Sequence, residues 1–214
     1  MAVITISRQW GSLGDDVANM VCQRLGYQRF DKATMVEVGQ ELGLAADVAK
    51  AIANYQPAPK NLLEKWFGST QRITGGDPSS WTFSARADAL QELSVASLME
   101  IINAGYKKGN MVIVGRGGMA ALQGKPDVLH VRIQAPKEVR VKRIQQQEKL
   151  SYDEAVAAVE ARDISDVDWI HRYFDLDSHD PQLFDLVINT TRLSQEAAAD
   201  LIVKALAALT AKTK

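Results

Sequence analysis

Apolar and polar positions along the chain alternate between two rhythms. Val3-Ile4-Thr5-Ile6 is a short, nearly unbroken apolar run, the pattern of a strand buried on both faces. Val17, Met20, Val21, Arg24 and Leu25 then recur at helical spacing, and Gly26 predicts the end of that helix. Tyr27 to Phe30 reads as a brief second strand, with Asp31 placed to cap the next helix. A helical pattern continues from about Asp47 to Asn54. Further on, Leu90, Leu93, Ala96, Ser97, Leu98 and Ile101 predict an amphipathic helix from Ala85 to Ala104, ended by Gly105. "MVIVGRGG" is a buried strand breaking into a glycine turn, and Val128 to Ile133 is another strand, followed by the helix of "APKEVRVKRI". Ser151 and Glu154 form a capping box for the next helix. "DLVINT" is the last strand, and Ser194 caps a terminal alanine-rich helix.

Residues 56–84 keep neither rhythm. The stretch from Pro57 to Ser84 holds three prolines, a Gly-Gly pair, a serine pair and two of the four tryptophans. It reads as a loop-rich insertion, expected to be more mobile than the sheet when no ligand is bound. Its paired aromatics, Trp66-Phe67 and Trp81/Phe83, suit either anchoring to a core or stacking on a base.

Strands separated by helices predict an α/β fold, a parallel sheet with helices on both faces. Ligands bind such sheets beyond the carboxyl ends of the strands. That rule brings Ser7 to Gly14, Gly115 to Gly118 and the residues after Ala135 to one edge.

Composition narrows the function classes. A chain of 214 residues, 46% hydrophobic, is long enough for one domain over 1–214 with an insertion. A net charge of −1 gives no global field for nucleic acid or an anionic membrane, so any basic site is local. The single cysteine, Cys22, excludes an internal disulfide, and its apolar helical neighbours mark a packed thiol. No apolar run reaches the ~18 residues of a membrane helix. The chain opens directly into a strand, so a cytoplasmic protein is expected. The sequence sets no oligomeric state.

"SRQWGSLGDDVANMV" carries the sharpest chemical signal. A strand, a glycine-bearing turn and a helix commonly cradle phosphate, and such a loop normally ends in Gly-Lys-Ser/Thr. Here Gly14-Asp15-Asp16 stands in its place.

Four stretches in order, "ITISRQWGSLGDDVA", "VIVGRGG", "APKEVRVKRI" and "LFDLVINT", resemble the cytidylate-kinase-like branch of the nucleoside monophosphate kinases. The resemblance spans nearly the whole chain and is weakest over 56–84. It implies a P-loop kinase-like sheet, with 56–84 as an acceptor-binding insertion and 160–180 as a short lid. The implied reaction moves the terminal phosphoryl of ATP onto CMP or a related small acceptor, with Mg2+. Gly11, Ser12, Leu13, Gly14, Asp15 and Asp16 match the phosphate loop, and Arg8 stands at its start. Arg116 matches an arginine expected to hold the acceptor phosphate. Arg140 and Arg143 match arginines that face the phosphates in related kinases, and Arg162 and Arg172 fall in the lid-like stretch. Asp185 begins the last strand. His130 reads as a core histidine, and His171 and His179 border the lid without a metal role.

The departures from the family pattern raise the functional question. Leu13 replaces a glycine, Asp15 stands where arginine is usual, and no arginine lies at the expected place near Asp166. Arg140 and Arg143, three apart, also suit a solvated pair, and Arg172 suits stacking on Tyr173 or Trp169. Two readings of the acids remain open. They complement the dipole of the helix they begin, by ~0.3–1 kcal/mol each. Alternatively, Asp16 ligates Mg2+ while Arg8, Arg140 and Arg143 supply the missing positive charge. An unbridged Asp15 would repel ATP. The function classes that follow are a phosphotransferase and a catalytically weak or inactive nucleotide-binding sensor module.

Overall fold

The computed structural model describes residues 2–45, 49 and 95–212. Strand β1 (Val3–Arg8) leads into helix α1 (Gly14–Leu25), then β2 (Gln28–Phe30) and α2 (Lys32–Glu41). Helix α3 covers 95–108 of the described residues. It is followed by β3 (Met111–Val114), the short α4 (Gly118–Ala121), β4 (Val128–Gln134), α5 (Lys137–Glu148) and α6 (Tyr152–Phe174). A 3-10 turn (Pro181–Leu183), β5 (Leu186–Asn189) and α7 (Gln195–Lys212) complete the order. The strands form one parallel sheet in the order β2-β3-β1-β4-β5.

Alternation along the strands builds a core on each face of the sheet. Ile4, Ile6, Val112, Val131 and Ile133 meet Val17 and Val21 of α1 and Ala198, Ile202 and Leu206 of α7. Val3, Met111, Ile113 and Val128 meet Met35 and Val38 of α2, Leu98 and Ile101 of α3, and Trp169 of α6. Each such fully buried aliphatic side chain is worth about 1.5–3 kcal/mol. Helices therefore cover both faces, as the alternation of patterns predicts. A third, smaller cluster joins α5 to α6 through Val141, Ile144, Ala155 and Val159.

The local stop and start signals act as read. Gly26 closes α1 at φ 65°, its amide donating to the Cys22 carbonyl. The Asp31 carboxylate accepts from the Thr34 amide, and Ser151 and Glu154 make the full capping box. Ser194 Oγ accepts from the Ala197 amide at 3.2 Å. Cys22 is half-buried against the first core, and burial raises its thiol pKa.

Gly105 is a correction. It does not end its helix, which runs on to residue 108 before Gly109 and Asn110 turn left-handed at φ 69° and 51°. A Cβ at Gly105 would lie 2.6 Å from the Phe30 ring, so the glycine makes room for the inner residue of β2. The predicted insertion 56–84, its expected mobility and the start of the helix predicted from Ala85 lie outside the described residues. So does the Asp47–Asn54 pattern, except Ala49, which is helical and buried. The predicted lid, 160–180, is the second half of α6 and the turn after it, with Trp169 packed in the second core. No described helix is long and apolar enough to cross a membrane.

Packing at Gly105 yields a direct test. Gly105→Val should cost about 1–3 kcal/mol in urea unfolding, the usual penalty for overpacking. Wild-type stability would show that Phe30 does not hold this position.

Candidate functional site

The turn between β1 and α1 is shaped by backbone conformation. Gly11 is left-handed at φ 79°, and Leu13 at φ 63° stands before α1 with no side-chain cap. A leucine there carries a strain of about 1–2 kcal/mol. Gly14 has no room for a side chain, since a Cβ would lie 2.5 Å from Arg8 Cβ.

Two arginines of α5 hold this turn from behind. Arg140 is only 3% exposed. Its Nε donates to the Ala135 carbonyl at 2.9 Å and Nη1 to the Trp10 carbonyl at 3.3 Å. Its two Nη groups also grip Asp163 of α6, at 2.9 and 2.7 Å. Arg143 Nη1 donates to the Gly11 carbonyl at 3.1 Å, and Nη2 to the Thr190 carbonyl at 3.0 Å. Thr190 Oγ1 donates to the Ser12 carbonyl at 2.8 Å. With the Gly11 and Ser12 carbonyls drawn back, planar trans peptides turn the amide of Leu13 the other way. The expectation that Arg140 faces phosphate is thus not the arrangement found. It is a strut between loop and helices.

The front of the loop carries different side chains. Asp15 caps nothing in its own helix; Arg8 Nε lies 3.3 Å from its Oδ2 and Arg29 Nη2 2.5 Å from its Oδ1. Burial raises the Asp15 pKa, but the Arg8 and Arg29 guanidinium groups outweigh it and hold the carboxyl below its ordinary value. Asp15 is therefore not an unpaired repulsive charge. Asp16 is exposed and its Oδ2 accepts from Gln195 Nε2 of α7 at 3.0 Å. Among the described residues no group of three or more His, Cys, Asp or Glu is arranged to hold a metal ion. Ser12 is fully buried, and its Oγ has no hydrogen-bond partner among the described residues.

Arg8, Arg29, Arg116, Arg132 and Arg162 line one cavity of about 560 Å³ at the carboxyl edge of the sheet. Phe30, Met35, Leu98 and Trp169 supply part of its apolar wall. Arg116 sits at φ 58° between Gly115 at 69° and Gly117 at 67°, three left-handed residues in a row. A Cβ at Gly115 would lie 2.5 Å from Arg8 Nη1, and one at Gly117 2.7 Å from the Trp169 ring. The turn is thus threaded between Arg8 and α6. Burial, then the like charges of Arg8 and Arg162, push the Arg116 pKa below the ordinary arginine value. Such crowding of cations is relieved by an anion. Arg162 pairs with Asp166 at 3.2 Å. Burial nevertheless raises the Asp166 pKa against the pull of Arg162 and Arg8.

Arg29 and Arg132 escaped the sequence reading. Both sit within strands, where an isolated arginine reads as the solvent face. Arg132 is instead buried, with Nη1 donating to the Ser178 carbonyl and its guanidinium 5.5 Å from the Phe184 ring centre. Arg172 is exposed and lies 5.6 Å over the Tyr173 ring, one of the two stacking partners expected. His130 Nδ1 meets Thr5 Oγ1 at 2.7 Å, and its backbone amide donates to Asp185 Oδ2. Burial lowers the His130 pKa, so both residues belong to the fabric of the sheet. His179 lines the cavity 3.3 Å from Asp177, and His171 is exposed on the last turn of α6.

The sequence profile described as the cytidylate kinase-like family matches residues 3–192. The cytidylate kinase of Methanosarcina mazei is 31% identical over 105 residues, covering 49% of this chain and 58% of that protein. That of Sulfolobus acidocaldarius is 40% identical over 75 residues, covering 35% and 41%. The chain thus spans about half the length of the curated relatives it matches. Among solved structures, an uncharacterized protein from Eubacterium ventriosum aligns with TM-score 0.61 at 17% identity, over 96% of this chain and 98% of that one. A sugar kinase from a Janibacter species aligns with TM-score 0.50 at 15% identity, over 95% and 93%. At these identities the likeness shows the fold alone.

The strut has a measurable signature. Arg140→Met should lower stability by about 2–3 kcal/mol, less than a fully buried pair would lose because Asp163 is partly exposed. A change under about 0.5 kcal/mol, as for an ordinary surface residue, would show that the guanidinium does not brace the loop.

Proposed function

The chain belongs to the cytidylate kinase-like family, and we propose that it transfers the terminal phosphoryl of ATP to a small acceptor that already carries an anionic group. A nucleoside monophosphate such as CMP is the leading candidate. The single observation that carries this reading is the meeting of the end of β1, Ser7 to Gln9, where the β1–α1 loop begins, and the Gly115–Arg116–Gly117 turn across one arginine-lined cavity.

The residues present fit a nucleotide's phosphates. The loop ends at the positive head of α1, its Gly11 and Ser12 carbonyls are tied back, and the buried Ser12 hydroxyl has no partner among the described residues. Mg2+ is usually held by one or two carboxylates together with phosphate oxygens, and the exposed Asp16 could supply one such carboxylate. Asp16, at the head of α1, is the carboxylate assigned to it. When bound, the ion neutralises charge on the phosphate oxygens, as phosphoryl transfer requires. Arg8 and Arg116 hold and orient anionic groups on either side of the transfer path. Arg162, kept in place by Asp166, closes the cavity from α6. Phe30, Met35 and Trp169 provide an apolar wall for a ring-bearing acceptor and keep water from it.

A second reading, nucleotide binding without transfer, draws on a separate observation. Arg140 and Arg143 are committed to backbone carbonyls, Asp163 and Thr190. Two cations assigned to catalysis are then structural, and the module would sense nucleotide rather than turn it over.

Incubation with ATP and Mg2+ against CMP, UMP, AMP, GMP and neutral sugars separates these readings. The kinase reading expects ADP and a phosphorylated product with at least one monophosphate, and none with sugars. Arg116→Ala should weaken acceptor binding by ~1.5–3 kcal/mol, the worth of hydrogen bonds to a charged group. ATP binding without any product would favour the sensor module.

A further inference from the structure

From Ser7 to Asp16 the phosphate loop contains no lysine. The α5 arginines do not replace it, because they brace the loop's carbonyls from behind. Two other guanidinium groups reach the front. Arg8 comes from the end of β1 and Arg29 from β2, and each takes a different oxygen of Asp15.

We propose that Arg8, Asp15 and Arg29 act as one unit that supplies the loop's missing positive charge. Arg29 is a phosphate-binding residue, and Asp15 is a positioning residue that holds both arginines at the head of α1. The proposal rests on the nucleotide reading above and assigns the side chains that give it charge.

The geometry supports each part. Two guanidinium charges against one carboxylate leave one net positive charge, the charge a lysine would bring. Splitting the two arginines between Oδ1 and Oδ2 fixes their separation and screens their mutual repulsion. Arg29 is further fixed by Asn19 Oδ1 at 2.5 Å, and Arg8 by its passage over Gly115. Neither is sealed away. Their side chains are 26% and 29% exposed, and both line the cavity. On the same loop, the Ser12 Oγ is buried and has no hydrogen-bond partner among the described residues.

This inverts the effect expected of Asp15 from sequence. An unpaired acid would repel phosphate, and Asp15→Asn would tighten binding. As a positioning residue, Asp15 keeps two long, rotamer-rich side chains ordered before the ligand arrives. Its removal frees them and weakens binding.

The test is calorimetric titration of the full chain with inorganic pyrophosphate, without metal or acceptor. Arg29→Met should bind roughly tenfold or more weakly. Arg29→Lys should recover most of that loss, since an ammonium still meets phosphate as a point charge. Asp15→Asn should also bind more weakly than the wild type. A measurement on the wild type covers the case of a misfolded variant: pyrophosphate should protect Arg8 and Arg29 from phenylglyoxal and leave the exposed Arg192 reactive. The proposal is overturned if Arg29→Met binds like the wild type, if Arg29→Lys is no better than Arg29→Met, if Asp15→Asn binds more tightly, or if no protection is seen. Pyrophosphate effects as expected without phosphoryl transfer would sink the kinase reading and leave this assignment standing. Transfer by Arg29→Met at the wild-type KM for ATP would do the reverse.

Discussion

The grip of Arg140 and Arg143 on the backbone of the β1–α1 turn is the constraint on which the rest of the site depends. A turn with a left-handed leucine is not the lowest-energy path for the chain, and something must hold it. The α5 guanidinium groups do so by taking the Trp10 and Gly11 carbonyls, while Asp163 and Thr190 hold the guanidinium groups. A Cβ at Gly11 would lie 2.9 Å from the Arg140 carbonyl, so loop and helix meet backbone to backbone. Because carbonyls face α5, the loop can offer amides on its other side. A buried charge pair is weak as a source of stability, but removing one partner is costly, and that makes it a good fastener.

From that fixed turn the electrostatics follow. On the proposed nucleotide reading the front of the loop needs cations, and those behind are committed to the backbone. Arginines converge instead from the ends of β1, β2 and β3 and from α6, places the parallel topology brings to one edge. The Gly115–Arg116–Gly117 turn can pass between Arg8 and Trp169 only because its glycines lack side chains. Three acids lie among the arginines of this region with specific partners: Asp15 has Arg8 and Arg29, Asp163 has Arg140, and Asp166 has Arg162.

What was legible in the sequence was local. Strand and helix periods, the Gly26 stop, the Asp31 cap and the Ser151–Glu154 box depend on neighbours a few residues away, and the fold class follows from their order. Gly105 misled because a glycine serves equally as a helix end or as a point of close approach. The deciding partner, Phe30, is distant in sequence. Arg140 and Arg143 were found on the right helix, but no spacing rule says whether an arginine faces a ligand or a backbone carbonyl. Arg29 and Arg132 were missed because a charged residue in a strand ordinarily marks the solvent face. Asp15 reads as a repulsive charge until Arg29 is brought against it by the pairing of β2 beside β3.

A crystal structure with a non-hydrolysable ATP analogue and Mg2+ tests the central claim, that the loop is braced from behind and charged from the front. The account predicts Arg140 and Arg143 still on the Trp10, Gly11 and Thr190 carbonyls, with Arg140 still on Asp163. The triphosphate would lie on the loop amides with Arg8 in contact. An Arg140 guanidinium released from Asp163 and bonded to phosphate would contradict it.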